Sequence, residues 1–188
     1  MKKRVNVLTI IGLLLIAAAL CLTIYNLADQ ARAYRAAQST LDKMEFGSGS
    51  DYIANPEQPM PTVMINGREY IGKLEIPAID IEIPVQSSWS YDALKVSPCR
   101  YQGSAYLSDF VVCAHNYDYH FGRIKKLQMN DTIIFTDIPG HRLEYKVCEV
   151  EILKPTAIDE MRTGDWDMTL FTCTIGGRTR VTVRCRKI

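Results

Sequence analysis

The chain has 188 residues, and its 22 Lys and Arg stand against 21 Asp and Glu for a formal net charge of +1. That length fits one globular domain with a segment left over, and the balanced charge gives no electrostatic reason to expect a nucleic-acid partner. No GxGxxG and no GxxxxGK[ST] run occurs, which sets aside dinucleotide-binding and P-loop sites.

Met1-Lys2-Lys3-Arg4 is a basic cluster, and positions 5–27 hold no Asp, Glu, Lys or Arg. At about 1.5 Å of helical rise per residue this run spans roughly 34 Å, enough for a hydrocarbon core of about 30 Å. The basic side is expected to stay in the cytoplasm. The expected order is therefore a cytoplasmic tail at 1–4, a transmembrane signal-anchor at 5–27, and everything later outside the cell. A cleaved signal peptide has the same basic start, and Ala31-Arg32-Ala33 imitates a small-x-small cleavage site. The apolar run, however, is longer than the usual signal-peptide core. Cys21 follows the bulky Leu20, which argues against a lipoprotein signal, so it is read as a membrane-buried apolar residue.

Positions 28–66 are expected to form an extracytoplasmic stalk. An Ala-rich stretch there continues the helix until Phe46-Gly47-Ser48-Gly49-Ser50 stops it, and Pro56, Pro59 and Pro61 keep the following chain extended. From Gly67 the pattern changes to period two. Ile79, Ile81, Ile83 and Val85 alternate with Asp80, Glu82 and Pro84, a strand with one buried face. Val111-Val112-Cys113-Ala114 reads as a central strand buried on both faces. Two strands, at 131–135 and 143–147, flank a turn at Pro139-Gly140, and two more, at 168–172 and 181–183, flank Gly176-Gly177. Helical signal is confined to short pieces near 121–129 and 158–162. Seven or eight short strands in one domain at 67–188 point to a single mixed β-barrel, since the helices are too short to cover an open sheet.

With Cys21 in the span, Cys99, Cys113, Cys148, Cys173 and Cys185 remain outside, an odd number, so at least one is unpaired within the domain. A free thiol in that setting is either buried and inert or reactive. Cys173 closes one strand of a tight hairpin and Arg180 opens the other, so the two are expected side by side. A guanidinium there stabilises a thiolate and can donate to an oxyanion. Acyl transfer by a thiol also needs a general acid and base. Of the three histidines, His115 stands at the end of the buried strand, where a rigid scaffold presents catalytic groups.

Thr169-Leu170-Phe171-Thr172-Cys173 resembles the TLxTC motif of sortases, the membrane-anchored cysteine transpeptidases of mainly Gram-positive bacteria. Ala114-His115-Asn116, the following Phe121-Gly122 and the segment from Leu127 to Ile133 are similar to that family's histidine strand and its continuation. Arg180 before Val181-Thr182-Val183 matches the arginine that opens the family's last strand. The likeness runs over 70–188, and the N-terminal anchor fits it. It implies a closed eight-stranded β-barrel with Cys173 as nucleophile, His115 as general acid and base, and Arg180 holding substrate and oxyanion. It further implies that Ala114, Phe171, Thr172 and Thr174 bind substrate, with the Thr174 N–H as a second oxyanion donor. The implied reaction is cleavage of an LPxTG-like sorting signal between Thr and Gly, then transfer to an amine such as a peptidoglycan precursor or a pilin lysine. The implied partners are surface proteins bearing that signal, and no cofactor is expected.

Alternatives stand beside each assignment. Arg178, Arg184 and Arg186 compete for the arginine role, although Arg184 lies roughly 13 Å further along the strand. Cys113, His115 and His120 lack a fourth ligand for zinc, and Glu149 and Glu151 are too few for a calcium site, so no metal is expected. Cys113 and Cys185 read as packing residues, His120 and His141 as solvated loop residues. Arg184-Cys185-Arg186-Lys187 reads as an exposed strand end, and Trp89 and Trp166 as core aromatics more readily than groove residues. As a whole, the alternatives are a membrane-tethered barrel that binds a peptide or wall polymer without chemistry, and a thiol peptidase that only hydrolyses.

Overall fold

The computed structural model describes residues 6–49 and 55–188. The basic tail expected at 1–4, the first residue of the expected span and residues 50–54 of the expected stalk lie outside the described residues. The chain divides into two compact units, Met1–Arg32 and Ala33–Ile188. Helix α1 (Val7–Leu41) supplies the first unit's described structure and is long and apolar enough to cross a membrane by length and composition. Leu8, Leu14, Leu15 and Leu22 are all exposed on it, a surface that needs an apolar environment.

In the second unit, among the described residues, nine strands form one sheet: β1 (Val63–Ile65), β2 (Arg68–Ile76), β3 (Ile81–Gln86), β4 (Cys99–Gln102), β5 (Phe110–Ala114), β6 (Thr132–Asp137), β7 (Arg142–Leu153), β8 (Met168–Cys173) and β9 (Arg180–Lys187). Their order is β1-β2-β3-β4-β5-β8-β9-β7-β6, and β6 also pairs with β2. That last pairing closes β2 to β9 into an eight-stranded barrel, as the sequence leads one to expect, with β1 a hairpin extension of β2. β5 and β8 run parallel, and β3 meets β4 in parallel at Gln86 and Cys99, while the other pairings are antiparallel. Two short helices, α2 (Tyr91–Leu94) and α3 (Ile158–Arg162), lie in the connections.

The period-two patterning explains the closure. Leu74, Ile83, Phe110, Phe135, Tyr145 and Leu170 point inward and are fully buried or nearly so, with the Phe110 and Phe135 rings 5.0 Å apart. Alternate residues of β4, β5 and β8 face outward, and there Cys99, Val111, Cys113 and Phe171 form a second apolar cluster with Ala93 and Met161 from the two helices. This explains why all five residues of β5 are buried.

The seam depends on Gly72. It pairs with Val85 on one side and Asp137 on the other, its φ is +152°, and a Cβ there would lie 2.1 Å from the Thr136 carbonyl oxygen. It would also lie 2.9 Å from the Asp137 Cα; both atoms are backbone, so neither can yield without moving a strand. Gly72→Ala is expected to lower stability by about 3 kcal/mol or more, read as a shifted denaturation midpoint; a wild-type midpoint would show the seam to be slack.

Several expectations are corrected. Part of the segment read as a stalk packs on the barrel instead: Ala33, Ala37, Met44 and Met60 are buried, and Ala37 and Met60 join the main core. The sheet begins before position 67, because Asn66 and Gly67, with φ of 51° and 76°, make the two-residue turn between β1 and β2, which only residues tolerant of positive φ can form. His120 is fully buried, its ring 5.2 Å from that of Tyr117. His141 is half-buried and not solvated: its Nδ1 lies 2.7 Å from the buried Asp137 carboxylate, which also accepts from Tyr106.

A candidate active site at the barrel rim

β5 and β8 are in register with Ala114 opposite Thr172. The residues that follow, His115 and Cys173, therefore leave two adjacent parallel strands at the same end. Cys173 is paired across the hairpin with Arg180 of β9. Three chemical groups so meet at one rim, Cys173 in the middle, and all three line one cavity of about 430 Å³. Thr172, buried, donates its hydroxyl to the Ala114 carbonyl at 2.8 Å. It ties the two strands together one residue before His115 and Cys173.

Cys173 and His115 are half-buried, reachable yet held. Three of the other thiols, Cys99, Cys113 and Cys185, are buried: burial pushes the pKa of Cys99 up to about 12 and pushes those of Cys113 and Cys185 higher still. They stay protonated and inert at neutral pH. The six cysteines are all free, and among the described residues no group of His, Cys, Asp or Glu is placed to hold a metal ion.

Arg180 is folded back on its own turn, its Nη1 donating to the carbonyls of Gly177 at 3.1 Å and Thr179 at 3.2 Å. Two weak neutral acceptors leave its charge available to a carboxyl-derived oxyanion. The Thr174 N–H is already committed to the Thr179 carbonyl at 3.0 Å, and its hydroxyl lies 3.0 Å from that of Thr179. In this conformation it is not the second oxyanion donor that the sequence leads one to expect.

Arg184 drops out of the competition for the arginine role. It is buried, against the expectation of an exposed strand end, and its guanidinium bonds Glu151 at 2.7 Å, the Thr169 hydroxyl and the Met161 carbonyl at 3.1 Å, and the Glu160 carbonyl. It thereby fastens α3 to the outside of the barrel. Cys185 is buried in the core, while Arg186 remains exposed over the Trp166 ring.

The floor and walls of the cavity are largely apolar. Phe171 meets Tyr101 edge-on at 5.3 Å, Tyr101 lies 5.5 Å from Trp89, and Trp89 meets Tyr91 at 5.7 Å. Trp89 is thus a groove residue and not a core aromatic; it is 42% exposed. Ile158 and Met161 of α3 complete the wall. Sequence reasoning overlooked Tyr91, Tyr101, Ile158 and Met161; the clustering of Trp89-Ser90-Tyr91 was the one available signal. On the other side of Cys173 lies a second cavity of about 640 Å³, lined chiefly by the β5–β6 loop with Asn116, Tyr119, Arg123, Lys125 and Lys126. The two share only Thr172 and Cys173.

A thiol between an imidazole and a guanidinium, beside an apolar groove, is equipped for acyl transfer through a thioester. The chain's similarities agree. A family model described as the sortase domain matches residues 74–188. Sortase C from Clostridium perfringens SM101 is 29% identical over 63% of this chain and 70% of its own, with a TM-score of 0.56; Clostridium perfringens sortase C has also been solved with the C-terminal cell wall sorting motif. Streptococcus pneumoniae sortase C, 24% identical, covers 86% of this chain and 89% of its own with a TM-score of 0.58, a likeness of fold. Among curated proteins none matches the sequence.

Proposed function

Because this chain belongs to the sortase family of cysteine transpeptidases, we propose that it cleaves an LPxTG-like sorting signal between Thr and Gly and transfers the new carboxyl end to an amine. The observation that carries this reading is the meeting of Cys173, His115 and Arg180 around one apolar groove. The Cys173 thiolate attacks the Thr carbonyl carbon. Arg180, released from Gly177 and Thr179, stabilises the oxyanion. His115 gives a proton to the departing Gly amine as the C–N bond breaks, leaving a thioester. An incoming amine then loses a proton to His115, attacks the same carbon and expels the thiolate. Ala114 and Phe171 line the groove for the signal, with Thr172 and Thr174 at its edge. The wider reading is an enzyme held in the membrane by α1, its N-terminus cytoplasmic, acting outside the cell on surface proteins and on a peptidoglycan precursor or pilin lysine.

The test is intact mass spectrometry of the full chain in detergent with a library of LPxTG-like peptides. The expected result is an acyl adduct on Cys173 that an added amine resolves into a peptide–amine product. An adduct resolved only by water would make the protein a thiol peptidase. No adduct, with Cys173 also inert to iodoacetamide in the folded chain, would make it a binding barrel.

A further inference from the structure

We infer that the cavity on the β5–β6 loop side of Cys173 receives the acceptor, and that this acceptor is an amine with an anionic group beside it. The inference rests on the transpeptidase reading above and names the second substrate's chemistry.

The two cavities meet only at Thr172 and Cys173, so a thioester carbon on Cys173 has one flank in each. With the acyl chain in the apolar groove, an incoming amine needs the other flank. That flank is cationic. Arg123, Lys125 and Lys126 line it, against the single carboxylate of Asp118. The Arg123 guanidinium is fixed by backbone carbonyls, those of Asp118 at 2.9 Å and Asp80 at 3.3 Å, which hold it without neutralising it. Lys125 and Lys126 sit on a single 3₁₀ turn, Ile124–Lys126, anchored by the buried Ile124 and the following Leu127. Both lysines are exposed, and among the described residues neither makes an ion pair.

A plain amine, cationic in solution, is repelled from such a surface. An amine carrying a carboxylate or a phosphate is drawn to it. The lining thus matches an amine with an anionic group beside it better than a neutral aminoacyl end.

The test uses the full chain in detergent, acylated by whichever LPxTG-like peptide forms the most thioester, and follows resolution of that thioester by four acceptors. Gly-Glu-amide is paired with its neutral isostere Gly-Gln-amide, and Gly-phosphoserine-amide with Gly-Ser-amide. Each anionic acceptor is expected to react about fivefold faster than its neutral partner at low ionic strength, from two or three partly exposed charge contacts. This preference should fall toward unity as salt rises from about 0.05 to about 0.5 M, and in Lys125→Gln/Lys126→Gln. The larger of the two ratios assigns the anion as carboxylate or phosphate. Equal rates within both pairs at low salt would overturn the inference while the thioester itself upheld the transpeptidase. Failure of every peptide to form a thioester, with Cys173 unreactive to iodoacetamide, would overturn both. Should the double variant fail to fold, the salt series on the unaltered chain decides alone.

Discussion

Cys173→Ala is expected to remove thioester formation and transfer together, by at least about 10⁴-fold, while the barrel stays folded. Cys173 ends β8 on the outward face, half-buried at the rim, so losing its sulfur opens no cavity in the core. The stability change is expected to stay under about 1 kcal/mol. No neighbouring thiol can substitute, because Cys113, next to Phe171 in the apolar cluster, is buried and protonated. His115→Ala is expected to cost about 10²- to 10⁴-fold, the usual range for a general acid and base. In the proposed mechanism both groups serve the same thioester, so the double variant should be little slower than Cys173→Ala alone. Transfer rates and denaturation midpoints for the three variants are the measurement. Full transfer by Cys173→Ala would place the nucleophile elsewhere.

Arg184→Met is expected to cost both stability and binding of the donor peptide. The Arg184 side chain is 4% exposed and its guanidinium serves Glu151, Thr169 and the carbonyls of Glu160 and Met161. Methionine fills much of the volume but leaves those acceptors, and a carboxylate, without their donor. The expected cost is on the order of 3 kcal/mol, softened by the partial exposure of Glu151, which for a domain of this size lowers Tm by roughly 10 °C. A second effect separates this from generic destabilisation. Ile158 and Met161 lose the tie that holds α3 against the barrel, so the wall of the apolar groove loosens. KM for the donor peptide should rise more than kcat falls, since Cys173 and Arg180 stand on β8 and β9 and His115 directly follows β5, all apart from α3. Lysine should rescue poorly, lacking the planar fork that reaches several acceptors at once. An unchanged Tm with an unchanged KM would show that α3 is held by its apolar contacts alone.

Much of the strand framework was legible because it is written in local periodicity. The alternation around Ile81, Ile83 and Val85 names one buried face, and Val111-Val112-Cys113-Ala114 names two; both are strands of the barrel. The placing of Cys173 opposite Arg180 was also legible, since a short hairpin leaves few registers. Arg184 was not. Read as one more cation in a charged strand end, it is buried because Glu151, Thr169 and α3 converge on it from three separate stretches of chain. The same holds for His120, enclosed within a loop that gives no outward sign of burial, and for Ala37 and Met60, which look like stalk and belong to the core.

The sequence by itself determined which residues could carry the chemistry: one cysteine at a strand end, one histidine after a buried strand, one arginine across a hairpin, behind a long apolar helix. These follow from residue type and from neighbours within a few positions. What surrounds them was decided by the tertiary structure alone. The parallel pairing of β5 with β8 sets His115 beside Cys173 across 58 positions of chain, since Thr172 bonds Ala114 at that separation. It also divides the rim into an apolar groove and a cationic cavity that meet only at Thr172 and Cys173. A one-dimensional pattern records which face of a strand is apolar, but not which distant strand will lie beside it; that is fixed only when the barrel closes and burial chooses the partners.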